Sequence, residues 1–254
     1  MTELTQLTQA SPWLWILAPI VIMVAYTVFG LSGFGSTVIS VPILAHFLPI
    51  SFLVPLMVLL DLASASLIGT RDRQHVAKVE LKRIIPFMFL GFVVGATALV
   101  KVPDAYLRPA LGVFTIAIGL NSIVNPRLQR TISAWWSVPA GVTGGAVATV
   151  FGAGGPIYAT YLSGRLTDKT QIRATMGALI SISAFTRAIV YAVSGLLLHM
   201  VVFAGGLALA PFVMVGLRLG QRVHVGLTQE QLRRVVGGIV LMTGISLLAR
   251  GWGA

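Results

Sequence analysis

The sequence predicts an all-α polytopic membrane protein: two inverted-topology repeats with Gly/Pro-broken helices at the centre. Three observations predict it. Of the 254 residues, 56% are hydrophobic and only 10% charged, where a soluble domain carries about 25% charged residues. No charged side chain stands between Glu3 and Asp61, a run far longer than the ~20 residues one span needs. Two glycine-rich breaks interrupt the apolar runs. The first is Gly30-Leu31-Ser32-Gly33-Phe34-Gly35-Ser36-Thr37 with Pro42 behind it, the second Phe151-Gly152-Ala153-Gly154-Gly155-Pro156. Gly33 aligns with Gly152 and Gly35 with Gly154 at one offset (154 − 35 = 119). One break per half suggests discontinuous helices around a central site. The alternative is close helix packing of the Gly-xxx-Gly kind, which needs glycine but no ligand.

The elements follow in order. An apolar segment runs from about Trp13 to Phe29, with Trp13 and Trp15 as interface anchors. It is read as a retained span, because no Lys or Arg precedes it as in a cleavable leader. After the break, Thr37 to Leu48 is a shorter piece. Spans are expected over about Ser51–Ile68, Ile84–Val100 and Leu107–Ile123, with a basic loop from Arg71 to Arg83 between the first two. That loop is either solvated or a short helix on the membrane surface. Asn125-Pro126 closes the first repeat, residues 1–125. The second repeat, 126–254, has segments at Trp135–Val150, a short piece to Leu162, Ala174–Leu198, Val201–Leu217 and Val235–Ala249. Thr228 and Gln231 have capping-box spacing, which would start the last helix at about Gln229.

Charge gives the topology. Four loops hold 14 of the 18 Lys and Arg residues. Placed in the cytoplasm by the positive-inside rule, they leave both termini outside. Each half carries its basic loops where the other half has uncharged turns, near Pro49 and at His199, as an inverted repeat requires. From Trp13 to Leu48 is 36 residues, about 54 Å of helix. That fits either two tilted crossings or one re-entrant hairpin.

Chemistry is excluded as well as suggested. The chain has no cysteine, so thiolate metal sites and thiol redox chemistry are out. No metal-ligand spacing, nucleotide-binding glycine loop or Ser/His/Asp cluster appears, so neither a cofactor nor an enzyme is expected. The net charge of +11 is explained by loop position, and no nucleic-acid partner is implied. The partners expected are the bilayer and a small anion, with a homo-oligomer open.

Broken helices leave free N–H groups backed by the helix dipole, which suits an anion. Gly33, Phe34, Gly35, Ser36 and Thr37 at the first break, and Gly152, Ala153, Gly154 and Gly155 at the second, are the candidate substrate-binding residues. Ser32, Ser40, Thr143, Thr149, Tyr158, Thr160 and Tyr161 add hydroxyls nearby. Asp61 and Arg187 lie inside apolar segments, where each costs roughly 2.5–3.5 kcal/mol on insertion scales. Arg187 is a candidate anion-binding or gating residue, with Asp61 as its partner or a proton-coupling site. A structural ion pair, or snorkelling of Arg187 toward an interface, is the competing account. His46 and His199 lie near span ends, as interfacial histidines commonly do.

Taken together these residues resemble the sulfite exporter TauE/SafE family. The carrying motifs are Gly33-Phe34-Gly35-Ser36 with Pro42-Ile43-Leu44, Gly152-Ala153-Gly154-Gly155-Pro156, Arg173-Ala174-Thr175, Gly216-xxx-Gly220, Leu232-Arg233-Arg234 and Gly244-Ile245-Ser246-Leu247-Leu248. Ser36 stands where a third glycine is common in the family. The resemblance implies transport of small sulfur-containing or organic anions such as sulfite, thiosulfate or sulfoacetate, across the bacterial inner membrane. Export needs no coupling ion in principle. Uptake coupled to protons and a non-transporting accessory subunit are the alternatives.

Overall fold

The computed structural model describes residues 13–32, 35–68, 73–124, 132–197, 200–222 and 229–251. Among these, ten α-helices and two short 3-10 turns occur, and no strand. The first five helices are α1 (Leu14–Ser32), α2 (Ser36–Leu44), α3 (Ile50–Ile68), α4 (Lys78–Lys101) and α5 (Asp104–Val124). The second five are α6 (Ser137–Phe151), α7 (Gly155–Arg165), α8 (Lys169–Val193), α9 (Met200–Arg222) and α10 (Gln229–Gly251). Stretches of α1, α4, α5, α8 and α9 are long and apolar enough to cross a membrane, while Ile50–Ser64 and Arg234–Ala249 are shorter apolar stretches of α3 and α10. Large apolar side chains such as Ile16, Val93, Leu207 and Met242 lie bare on the outside, as they would against lipid. The protein is an all-α polytopic membrane protein.

The expected breaks and spans fall close to these helices, and the clearest differences lie at basic stretches: α8 starts at Lys169, ahead of the expected Ala174, and takes in Arg173. Ahead of Ile84 the described part of the basic stretch is a short turn at Arg73–His75 followed by helix. From Lys78 it is the first turns of α4, where Leu81 and Glu80 are buried. Lys82 and Arg83 are exposed, so one helix carries both a charged foot and an apolar shaft. The last helix begins at Gln229 as expected. The capping Thr228, like Gly33, Phe34, Arg71 and His199, lies outside the described residues.

Glycine sets the close helix contacts. α4 packs on α6, α1 on α9, and α5 on α10. A Cβ on Gly95 would strike Ala146 and Thr149, and one on Gly141 would strike Phe87 and the backbone at Ile84 and Met88. Gly30, Gly216 and Gly220 serve α1 and α9 in the same way, and Gly112, Gly119, Gly237 and Gly244 serve α5 and α10. Here the packing reading of the glycines is correct, since only glycine lets two backbones approach this closely. The pattern has a regularity. When α1–α5 are exchanged for α6–α10, the α1–α9 contact becomes α6–α4 and α1–α2 becomes α6–α7. The pairs α5–α10 and α3–α8 map onto themselves.

Each break turns the chain back on itself. Trp13 at the foot of α1 meets Phe47 just past α2, ring centroids 4.8 Å apart. Ile132, ahead of α6, receives the matching closure, its N–H donating to Gly164 O at the end of α7 (2.9 Å). The returning helices have 9 and 11 residues, about 14 and 17 Å at ~1.5 Å per residue. That is roughly half of a ~30 Å hydrocarbon core. Both breaks therefore form helical hairpins with a short return arm, and neither joins two full crossings.

Candidate functional site

The two hairpin tips meet. α1 stops at Ser32, and Gly35 precedes α2 with φ 108°. α6 stops at Phe151, and Gly152 turns the chain with φ 72°. Both are left-handed conformations that cost a side-chain-bearing residue about 1–2 kcal/mol. Space gives a second reason at Gly152 alone. A Cβ there would sit 3.0 Å from Thr37 Cβ, whereas one on Gly35 would meet nothing within 4 Å. Thr37 Oγ1 donates to Gly152 O at 2.6 Å, so one tip is tied directly to the other.

Two helix N-termini open at this junction. In α2 the first intrahelical bond is made by Ile39 N to Gly35 O, and in α7 by Ile157 N and Tyr158 N to Gly154 O. The amides of Ser36, Thr37, Val38 and Gly155 precede those bonds and have no acceptor within their own helix. Pro156 follows Gly155 in the first turn of α7, where its missing N–H costs nothing. Between the tips lies a cavity of about 30 Å³, which Gly35, Ser36, Thr37, Gly152, Gly154 and Gly155 help to line. It has room for a water or two. Of the described candidate binding residues at the breaks, Ala153 is the one that does not line it; it packs in the apolar core instead.

The wall opposite the tips is charged. Asp61 from α3 and Arg187 from α8 line the same cavity, with Tyr158 and Ser183. Arg187 is 2% exposed and Asp61 6%, which rules out snorkelling. Arg187 Nη2 donates to Asp61 Oδ2 at 3.3 Å and Nη1 to Ala148 O at 2.9 Å. The other carboxylate oxygen accepts from Tyr26 Oη (2.8 Å) and Ser36 Oγ (3.2 Å). Tyr191, beside them on α8, donates to Thr149 O. Arg187 Nε and Tyr158 Oη are buried, and among the described residues neither has a hydrogen-bond partner. Ser183 on α8 lies close beside the Tyr158 hydroxyl, near hydrogen-bonding reach but outside hydrogen-bond geometry. Unpaired buried donors are costly, at about 1–3 kcal/mol each, so two in one cavity call for an acceptor, which a water or an anion can supply.

The described candidate binding residues other than Ala153 thus line one cavity with Asp61, Arg187 and Tyr158; Gly33 and Phe34 lie outside the described residues, and Ser40, Thr143, Thr149, Thr160 and Tyr161 do not line it. Sequence reasoning missed Tyr26, Ser183 and Tyr191. Each is a hydroxyl inside an apolar helix, a signal present but shared with many packing residues. It also missed Glu80, a second buried carboxylate besides Asp61. His46 bridges Pro42 O and Ser246 Oγ near the α2–α3 turn, away from the cavity.

The cavity is small and donor-rich and lies inside a membrane protein, and comparison with known proteins places that protein in a family. Residues 18–247 match the family described as Sulfite exporter TauE/SafE. The chain belongs to the sulfite exporter TauE/SafE family. Among curated relatives of this family member, it is 22% identical over 198 residues to the "Probable inner membrane transporter protein TsaS" of Comamonas testosteroni, a match covering 78% of this chain and 83% of that protein. No solved structure matches it. Family membership makes the chain a membrane transporter of sulfur-related anions.

Proposed function

We propose that this protein is a secondary transporter or facilitator that exports small sulfur oxyanions or organosulfonates across the bacterial inner membrane. The observation that carries the reading is the pair of unpartnered donors, Arg187 Nε and Tyr158 Oη, facing two helix N-termini across one buried cavity. Gly35, Ser36, Thr37, Gly152, Gly154 and Gly155 present the amides and hydroxyls, and Arg187 supplies the charge. Helix N-termini favour anions through both free N–H groups and the dipole. Sulfite, thiosulfate and sulfoacetate-like compounds fit this chemistry, and the name of the family supports it.

Residues 1–125 and 126–254 act as two inverted repeats in this reading. The exchange of helix contacts between the halves supports it. So does the opposite placement of the hairpin mouths: one beside Ile50 and Asp104, the other beside Glu80 and Thr175. With the basic end in the cytoplasm, both termini lie outside. Rocking of one repeat against the other would expose the cavity alternately to each side. An inside-negative potential favours anion expulsion by about 2.3 kcal/mol per charge per 100 mV.

The test is flux from proteoliposomes loaded with sulfite, thiosulfate or sulfoacetate. Efflux of one of them, accelerated by a negative interior and lost in Gly154→Val, is expected. A side chain at Gly154 would strike Ala148, Tyr158 and the Gly144 carbonyl, forcing apart the two arms of the hairpin that line the cavity. Inward transport alone, or no flux of any of the three, would refute export.

A further inference from the structure

Arg187 already has a partner within the protein. Asp61 Oδ2 occupies one of its donors, as an oxygen of a bound anion would. The charges facing the cavity from the elements packed around it are few. α3 brings Asp61 and α8 brings Arg187. The titratable hydroxyls are Tyr26 from α1, Tyr158 from α7 and Tyr191 from α8, while Ser36 is a neutral donor from α2. With Asp61 ionised and Arg187 charged, the site is neutral. An anion entering it would leave two negative groups sharing one cation in a low-dielectric interior, where like charges a few ångströms apart repel strongly. The cavity, about 30 Å³, also has no spare room beside the carboxylate.

We infer that Asp61 is an internal stand-in for the substrate: an incoming anion displaces it from Arg187, and the displaced carboxylate takes up one proton. This rests on the anion site proposed above and adds its regulation. The proton comes from the aqueous side to which the site is open. It bonds to the carboxylate oxygen that leaves Arg187, while Tyr26 and Ser36 still donate to the other oxygen. Arg187 then offers Nη2 and Nε to the anion, and Tyr158 Oη donates from the facing hairpin. Anion and proton enter and leave together, one for one, so transport moves one negative charge fewer than the anion carries. Binding then strengthens as pH falls, because the bound state holds the extra proton.

The test is calorimetry on the purified protein in buffers of different ionisation heat, with thiosulfate and sulfoacetate as probes. Neither probe takes up a proton near neutral pH. Close to one proton per bound anion is expected in the wild type, with affinity falling about tenfold per pH unit on the alkaline limb. In Asp61→Asn the proton uptake falls to zero and affinity becomes independent of pH. Anion binding to the wild type with no proton uptake and a flat pH profile would overturn the stand-in role and leave the anion site standing. Failure of the wild type to bind either probe at any pH tested would overturn both.

Discussion

The two hairpins share a plan and differ in how their mouths and tips are held. The first mouth is closed by rings: Trp13 on Phe47, with His46 reaching Ser246. Asp104 caps the next helix there, accepting from Ile50 N. The second mouth is closed by charge. Glu80 accepts from Arg165, Arg83 and Tyr161, while Arg165 also holds Ile132 O. At the tips the order of crowding is the same: Gly152 is wedged against Thr37, and Gly35 faces open space. The second hairpin is therefore the constrained one at both ends.

That difference can be broken by mutation, and the effects should rank. Gly152→Ala combines left-handed strain with a collision at Thr37, and should cost about 2–4 kcal/mol in denaturant unfolding. Glu80→Ala strands Arg165 and Tyr161 at a partly wet site, and should cost about 2–3 kcal/mol by the same measurement. Gly35→Ala carries the backbone strain alone, about 1–2 kcal/mol. Trp13→Ala loses one edge-to-face ring pair, worth about 0.5–1.5 kcal/mol, together with area that lipid can cover instead. If Trp13→Ala destabilises more than Glu80→Ala, or Gly35→Ala more than Gly152→Ala, the asymmetry between the hairpins is wrong.

Much of this architecture was legible in the sequence because the bilayer makes it so. Long apolar runs, charged loops and glycine breaks each answer to a single strong constraint, and the spans fall near the expected places. Asp61 and Arg187 were readable for the same reason: an ionisable side chain inside an apolar run is rare and needs a partner. What was not legible depends on three-dimensional juxtaposition. The sequence allowed two crossings or a hairpin at each break, and only the Trp13–Phe47 and Ile132–Gly164 contacts decide it. Glu80 stands in a stretch that the sequence marks only as basic, but α4 starts two residues earlier and carries it inside. Nothing in the sequence sets Tyr26 and Tyr191 apart from other aromatic residues in apolar helices, and their hydroxyls gain meaning only beside Asp61 and Thr149. Ala153 sits between two cavity-lining glycines, yet faces the core, because the turn at Gly152 rotates it away.

The central claim is that the buried unpartnered donors exist for an anion. Tyr158→Phe tests it most directly, because that hydroxyl makes no hydrogen bond in the closed protein and its loss should not destabilise the fold. Thermal unfolding in detergent, with and without sulfite, thiosulfate, sulfoacetate, taurine, oxalate and chloride, is the measurement, since a ligand of the folded state raises its stability by mass action. The account predicts that Tyr158→Phe alone unfolds at or above the wild-type temperature. It also predicts that at least one sulfur oxyanion or sulfonate stabilises the wild type and does so about tenfold more weakly in the variant, as loss of a hydrogen bond to a charged group implies. A wild type indifferent to every anion, or a Tyr158→Phe protein that is less stable yet responds to them undiminished, would contradict it.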